Sequence, residues 1–381
     1  TAMDAITTGD ANTALGNSAL GALTTGGRNT SVGQESMLTT STGEKNTAIG
    51  YNALKLNATT SNNTAVGHTA LLNNIASDNI AIGYNAALSN TTGTRNTAIG
   101  TNALDAATTV NDNTAIGHDA LTANTSGFKN TAIGSGAGEG NTEGDNLVAV
   151  GYNAAENNTT ADDNTAIGSQ ALFTNTTGAK NTAVGTGAMY NNTTAGENIA
   201  IGANTMASNT TGTRNIAIGV DAYDASDTEN DNIAIGYQAM TSNTAGGVQN
   251  IALGNYALDA LTSGDDNVAI GLNSLGATTT GSSNIGIGVN TGAANTTGSR
   301  NIAIGYEAYD NSDTENDNIA IGYRAMTVDT AGGTKNIAIG NYALDALTSG
   351  DTNVAVGHDA MTLHTTGANN VAVGERALAA S

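Results

Sequence analysis

Two short stretches of the chain concentrate oxygen ligands. "YDASDTENDN" carries Asp224, Asp227, Glu229 and Asp231, and a near copy further on carries Asp310, Asp313, Glu315 and Asp317. Carboxylates in a turn suit Ca2+, a hard cation that accepts flexible oxygen coordination. The spacing matches neither an EF-hand loop nor the glycine-rich nonapeptide of calcium β-rolls. Two readings stand: solvated acidic loops, or a bound cation. Three of the four histidines, His68, His118 and His358, directly follow a recurring glycine. Other residues fill that place elsewhere, so the histidine there is interchangeable. No Ser/His/Asp arrangement, metal-spaced histidine pair or phosphate loop is present, and the expectation is a protein that is not an enzyme. Tyr51, Tyr84, Tyr152, Tyr237, Tyr306 and Tyr323 occupy the same place after the glycine. Such rings either stack on sugars or pack between neighbouring segments at a corner.

The composition limits what could hold these residues in place. The chain has 381 residues with Gly 49, Pro 0, Cys 0, Trp 0 and 3% aromatic residues. Large rings usually supply much of a core, so a compact globule would be poorly filled. Yet 39% of the residues are hydrophobic, and they are regularly placed, unlike those of a disordered chain. A formal charge of −22 with only 11 Lys and Arg argues against nucleic acid, which needs a basic face. No apolar run approaches a membrane span, so no membrane insertion is expected.

The pattern is a repeat. Asn-(Thr/Ile/Val)-Ala-(Ile/Val/Leu)-Gly recurs from Gly16 to Gly374 in steps of 17 residues, with one step of 16 and two of 18. The full unit reads N-T/I-A-I/V-G-x-x-A-L-x-x-x-T-T-G-x-x. "RNIAIGVDAYDASDTENDNIAIG" (Arg214 to Gly236) returns nearly unchanged at Arg300 to Gly322, a shift of 86 residues, as if a block of five units had been copied. Length changes fall in the second half of the unit: the short step in Leu71 to Asp78, and an added Gly in Thr244 to Gly247 and Thr330 to Gly333. That half is therefore the turn, since a one-residue slip in a paired strand would exchange its faces.

In "NIAIG" the large residues alternate with Ala, and period two with β-branched residues predicts a strand. The Ala-Leu pair, as in Ala53-Leu54, predicts a second short strand. So much Gly, Asn and Thr disfavours helix. The expectation is an all-β parallel β-solenoid (β-roll) of 22 coils of about 17 residues, one continuous solenoid over 1–381, uncapped at both ends. At about 4.8 Å per coil it would extend roughly 105 Å.

Three stripes follow from stacking. Asn46, Asn96, Asn113, Asn130, Asn198, Asn215, Asn301 and Asn318 open their units and predict a structural ladder of amides bonded to turn backbone. The central alanines, including Ala48, Ala98, Ala115, Ala132, Ala200, Ala217, Ala303 and Ala320, lie opposite the Ile row. They read as a stripe where another subunit packs closely, with a covering segment of the same chain as the plainer alternative. The place before the opening Asn holds eight of the eleven basic residues (Arg28, Lys45, Arg95, Lys129, Lys180, Arg214, Arg300, Lys335) and acidic residues such as Asp78, Asp112, Asp163 and Asp231 in other coils. Alternating signs one strand apart predict a charge ladder that also opposes misregister. Asn-x-Thr/Ser triplets at Asn57, Asn90, Asn124, Asn158, Asn175, Asn192, Asn209 and Asn295 either accept glycans or simply form turns.

The string A-I-G-x-x-A with Asn just upstream resembles the head repeat of trimeric autotransporter adhesins of the YadA type. N-T-A-I-G-x-x-A-L-x-x-x-T-T-G is similar in wording to repeat arrays of bacteriophage and algal-virus tail fibres. The resemblance covers essentially the whole chain. It implies a left-handed, trimeric β-roll, extracellular on a cell or virion surface. The expected function is a structural fibre shaft without cofactors, calcium aside, whose partners are copies of itself and surface glycans. A glycan- or ice-binding adhesin head is the alternative, as is a subunit of a filament polymerised end to end.

Overall fold

A computed structural model of the chain describes residues 2–243, 246–328 and 332–379. Of the two predicted insertion turns, Thr244, Ala245, Thr330 and Ala331 lie outside the described residues. The chain forms two compact units, Thr1–Thr194 and Ala195–Ser381. The first carries strands β1 (Thr13–Leu15) to β11 (Thr182–Val184), the second β12 (Ile199–Ile201) to β22 (Val371–Val373). Within each unit successive strands pair in parallel, like position beside like position: Ala98 beside Ala115 and Ala115 beside Ala132 in the first, Ala217 beside Ala234 in the second. This is the all-β parallel β-solenoid that the 17-residue period predicts. No helix occurs among the described residues, and none is long and apolar enough to cross a membrane.

Length changes leave the strand register intact. Thr64 still faces Ile80 across the short step, and Ile233 faces Ile251 across a long one. The conserved corner explains the Gly. Gly117 has φ 145°, and a Cβ there would lie 2.2 Å from the carbonyl oxygen of Gly134 in the next coil. Only a residue without a side chain permits that stacking.

The Ala-Leu pair differs from expectation. It is a turn in the described coils, not a second strand. Asn52 and Leu54 adopt φ 56° and 53°, left-handed values flanking Ala53, and the pattern recurs at Asn102 and Leu104. Coil-to-coil bonding continues through this turn nonetheless: the Leu54 N–H donates to Ala70 O at 2.9 Å and the Leu104 N–H to Ala120 O at 2.9 Å. Left-handed backbone costs roughly 1–2 kcal/mol per L-residue. Full burial of the leucines, such as Leu54, Leu104 and Leu121 at 0% exposure, offsets that cost with about 1.5–3 kcal/mol each.

The core is a thin column of strand Ala against the Ala-Leu turn. A Cβ on Gly286, which replaces the strand Ala in one coil, would lie 2.8 Å from Leu275 Cγ of the preceding coil. Where the turn Leu is missing, a neighbour fills in. Gly138 takes its place, and Leu147, standing where the ladder Asn would be, brings Cδ2 to 3.2 Å from the missing Cβ.

Candidate functional site

The opening asparagines form a buried ladder within each unit. The Asn46 N–H donates to Asn29 Oδ1 at 2.9 Å, and Asn46 Nδ2 donates to Thr60 O at 2.8 Å. Asn113 and Asn130 repeat this, each N–H bonding to the Oδ1 one coil back, at 3.0 and 2.9 Å. Asn96 Nδ2 reaches Val110 O at 2.7 Å and Asn198 Nδ2 reaches Gly212 O at 2.8 Å. Asn215 bonds back to Asn198 Oδ1 at 2.8 Å, and Asn318 to Asn301 Oδ1 at 3.0 Å. One carboxamide thus links two coils through its oxygen and closes its own coil through its nitrogen.

A second ladder was not anticipated. The triplet asparagines Asn57, Asn90, Asn124, Asn158, Asn175, Asn192, Asn209 and Asn295 are all 0% exposed. Asn158 Nδ2 donates to Asn141 Oδ1 and Asn175 Nδ2 to Asn158 Oδ1, both at 2.8 Å. Their amides sit inside the coil and are not presented as glycan acceptors. The sequence signal was available: Leu23, Leu261 and Leu347 fill the same repeat position and are equally buried.

The alanine stripe is corrected. Ala48, Ala98, Ala115, Ala132, Ala200, Ala217 and Ala320 are 0% exposed and Ala303 1%, packed inside the chain's own coil. They offer no surface to another subunit. The narrow lumen takes a methyl on one wall because the turn leucine projects from the other. The rows on either side of the Ala therefore point outward. In every described strand the first and third residues are partly or fully exposed, as at Ile49, Ile82, Ile199, Ile201 and Ile339.

The charge row yields three bidentate pairs. Arg95 Nε and Nη2 donate to Asp112 at 2.6 and 2.9 Å, Arg214 to Asp231 at 2.6 and 2.8 Å, and Arg300 to Asp317 at 2.6 and 3.0 Å. The guanidinium hydrogen bonds hold each of these carboxyls below the usual aspartate range. The long, planar fork of Arg spans the coil spacing and matches a carboxylate.

The acidic stretches are spread around the coil. Asp231 and Asp317 are engaged by arginine. Glu229, only 2% exposed, accepts the N–H groups of Asp227 at 2.9 Å and Thr228 at 3.0 Å on one oxygen and Gly246 N–H at 3.0 Å on the other. Glu315 likewise accepts from Asp313 and Thr314 at 2.9 Å. Asp227 and Asp313 receive the hydroxyls of Thr210 and Thr296. Burial raises Asp224, with Asp221 adding repulsion, and burial raises Asp310, with Glu307 adding to it. Among the described residues no three His, Cys, Asp or Glu side chains gather as a metal site.

The tyrosines stack on one another. His68 lies between Tyr51 and Tyr84, with ring centroids 5.1 and 5.4 Å away. Tyr306 and Tyr323 stack at 5.5 Å and 9°, and Tyr237 meets Tyr256 edge-on at 5.5 Å. Where the rings stack, as at Tyr306 and Tyr323, their faces turn toward each other. Tyr152 is 58% exposed, and no ring contact joins it among the described residues. His118 and His358 sit beside Asp119 and Asp359 at 2.8 and 3.1 Å, and among the described residues no hydroxyl is hydrogen-bonded to either ring.

Compared with models of known protein families, the chain matches none, and a search of curated proteins finds no match either.

Proposed function

We propose that this protein is a structural shaft, a non-enzymatic β-solenoid that works outside a cell or on a virion by holding distance between two ends. One observation carries this reading: within each unit successive coils pass hydrogen bonds on at the same repeat positions, through strand and turn and, in most coils, through buried asparagines. Stiffness and length then grow by adding coils, as in other one-dimensional repeat proteins. The strong negative charge keeps such a body soluble and away from nucleic acid. Self-association into a trimer, as the repeat resemblance implies, is part of the proposal, through the outward strand face and not the alanines.

Electron microscopy tests it. Rod-shaped particles of uniform width are expected, and deleting two coils should shorten them by about 10 Å. Globular particles would end the proposal. A second reading, an adhesive head that touches glycans, draws support from the exposed ring of Tyr152. A glycan array with wild type and Tyr152→Ala separates the two: binding lost in the variant favours the head.

A further inference from the structure

The outward strand face is not the same in the two units. In the first unit the leading strand residue is Thr in all strands but two, where Ile80 and Val148 replace it. In the second it is Ile or Val in every strand from Ile199 to Val371. The trailing residue is Ile, Val or Leu throughout. The first unit thus shows one hydroxyl-methyl row beside one aliphatic row, whereas the second shows two aliphatic rows side by side. None of these outward residues is buried within its own chain, so the second unit leaves a continuous apolar ribbon in water. Soluble monomers rarely keep such a patch uncovered.

We infer that the ribbon of the second unit is the surface on which a second copy of this chain docks. Area sets the requirement, and side-chain chemistry decides between the units. Eleven strands about 4.8 Å apart and three residues wide give a footprint of roughly 500 Å². Two copies would bury roughly 1,000 Å², the size that a specific interface must reach. The first unit has the same footprint, but its threonine row halves the aliphatic content, so that face gains less on leaving water. Geometry favours a copy over an unrelated protein. Both ribbons carry branched side chains at one spacing, so the rows of one fit the furrows of the other, as identical segments do in dry sheet-to-sheet packing. Two residues ahead of the leading strand residue the chain carries mixed charge, with Arg214, Asp231, Asp266, Arg300, Asp317 and Lys335, and a polar rim is the usual surround of an apolar interface centre.

This assignment rests on reading the chain as a self-associating shaft, and the test keeps the two apart. The full chain is compared by sedimentation equilibrium with Ile216→Thr/Ile233→Thr/Ile302→Thr/Ile319→Thr, and with Thr97→Lys/Thr114→Lys/Thr131→Lys in the first unit. Thr is safe for folding because the first unit uses it at that place, and circular dichroism checks this. Wild type should be oligomeric, the isoleucine variant at least about a hundredfold weaker, and the lysine variant unchanged. A monomeric wild type, an isoleucine variant of undiminished mass, or a lysine variant that dissociates as readily each overturns the assignment. Micrographs of the same samples judge the shaft separately: monomeric rods refute self-association and its interface but leave the shaft standing, and globular particles refute both.

Discussion

Replacing Asn113 by alanine isolates the ladder. Its Oδ1 is bonded by Asn130 N–H at 2.9 Å, and its Nδ2 donates to Gly127 O at 3.1 Å. Gly127 O keeps a second donor, Asn124 Nδ2 at 3.0 Å, so losing that bond costs about 0.5–1.5 kcal/mol. The Asn130 N–H is fully enclosed and would be left without its acceptor, which costs about 1–3 kcal/mol. Together these give roughly 1.5–4.5 kcal/mol, or an opening equilibrium at least about tenfold more favourable. A repeat array does not unfold as one unit, so hydrogen exchange read by mass spectrometry is the suitable assay. Amides of the coils around Asn113 and Asn130 should exchange at least about tenfold faster, while those of Thr30–Val32 in the same unit stay unchanged. Exchange that rises less than about threefold, or equally at both places, would refute the reasoning. Asn113→Asp sharpens the point. It keeps the acceptor and loses the donor, setting a carboxylate against Gly127 O, so it should be worse than alanine at pH 7. Burial raises the pKa of the introduced carboxyl above its unfolded value near 4. Its stability contribution is then present below that value and lost as pH rises through the folded one. Exchange should slow again on acidification, after correction for the intrinsic rate.

Other outcomes follow from single contacts. Gly117→Ala, with its Cβ forced to 2.2 Å from Gly134 O, should destabilise far more than Gly246→Ala, where φ is 109° and nothing lies within 4 Å; thermal melting compares them. Asp112, Asp231 and Asp317 are held low by arginine, so their stabilisation is present above the unfolded aspartate value and lost as pH falls toward the folded one. The triple change Arg95→Gln/Arg214→Gln/Arg300→Gln should lower the melting temperature at pH 7 in low salt, with a smaller effect in high salt or acid. Asp224 is raised, so the sign reverses: Asp224→Asn should raise the melting temperature at pH 7 and lose that advantage below about pH 4. An oligosaccharyltransferase should modify Asn158 only in denatured chain, as peptide mapping would show.

Much of the fold was legible because a 17-residue period and an Ala-Ile alternation leave few alternatives. Alternation separates two faces but does not say which is inside. Bulk usually marks the interior, and that rule inverted the assignment of Ala115 and Ile116. The lumen is too narrow for a β-branched row facing Leu104 and Leu121, a volume constraint that no single strand displays. The turn at Asn52-Ala53-Leu54 was read as a strand because propensity sees residue type, whereas its backbone is set by closure of the coil. Asn158 was read as a turn residue with a glycan signal. Its burial shows only when the column of its repeat position is read across coils, where leucine appears in its stead.

The buried carboxylate of Glu229 makes one coil depend on the next. It stands where other coils have a turn glycine, in the coil that also bears the buried Tyr223. One of its oxygens depends on Gly246, which belongs to the lengthened coil that follows. Separating the two coils would cost the enclosed carboxylate the Gly246 donor on that oxygen. The near copy keeps the same arrangement: Tyr309 and Glu315 stand in one coil, and the coil after it carries the same added glycine.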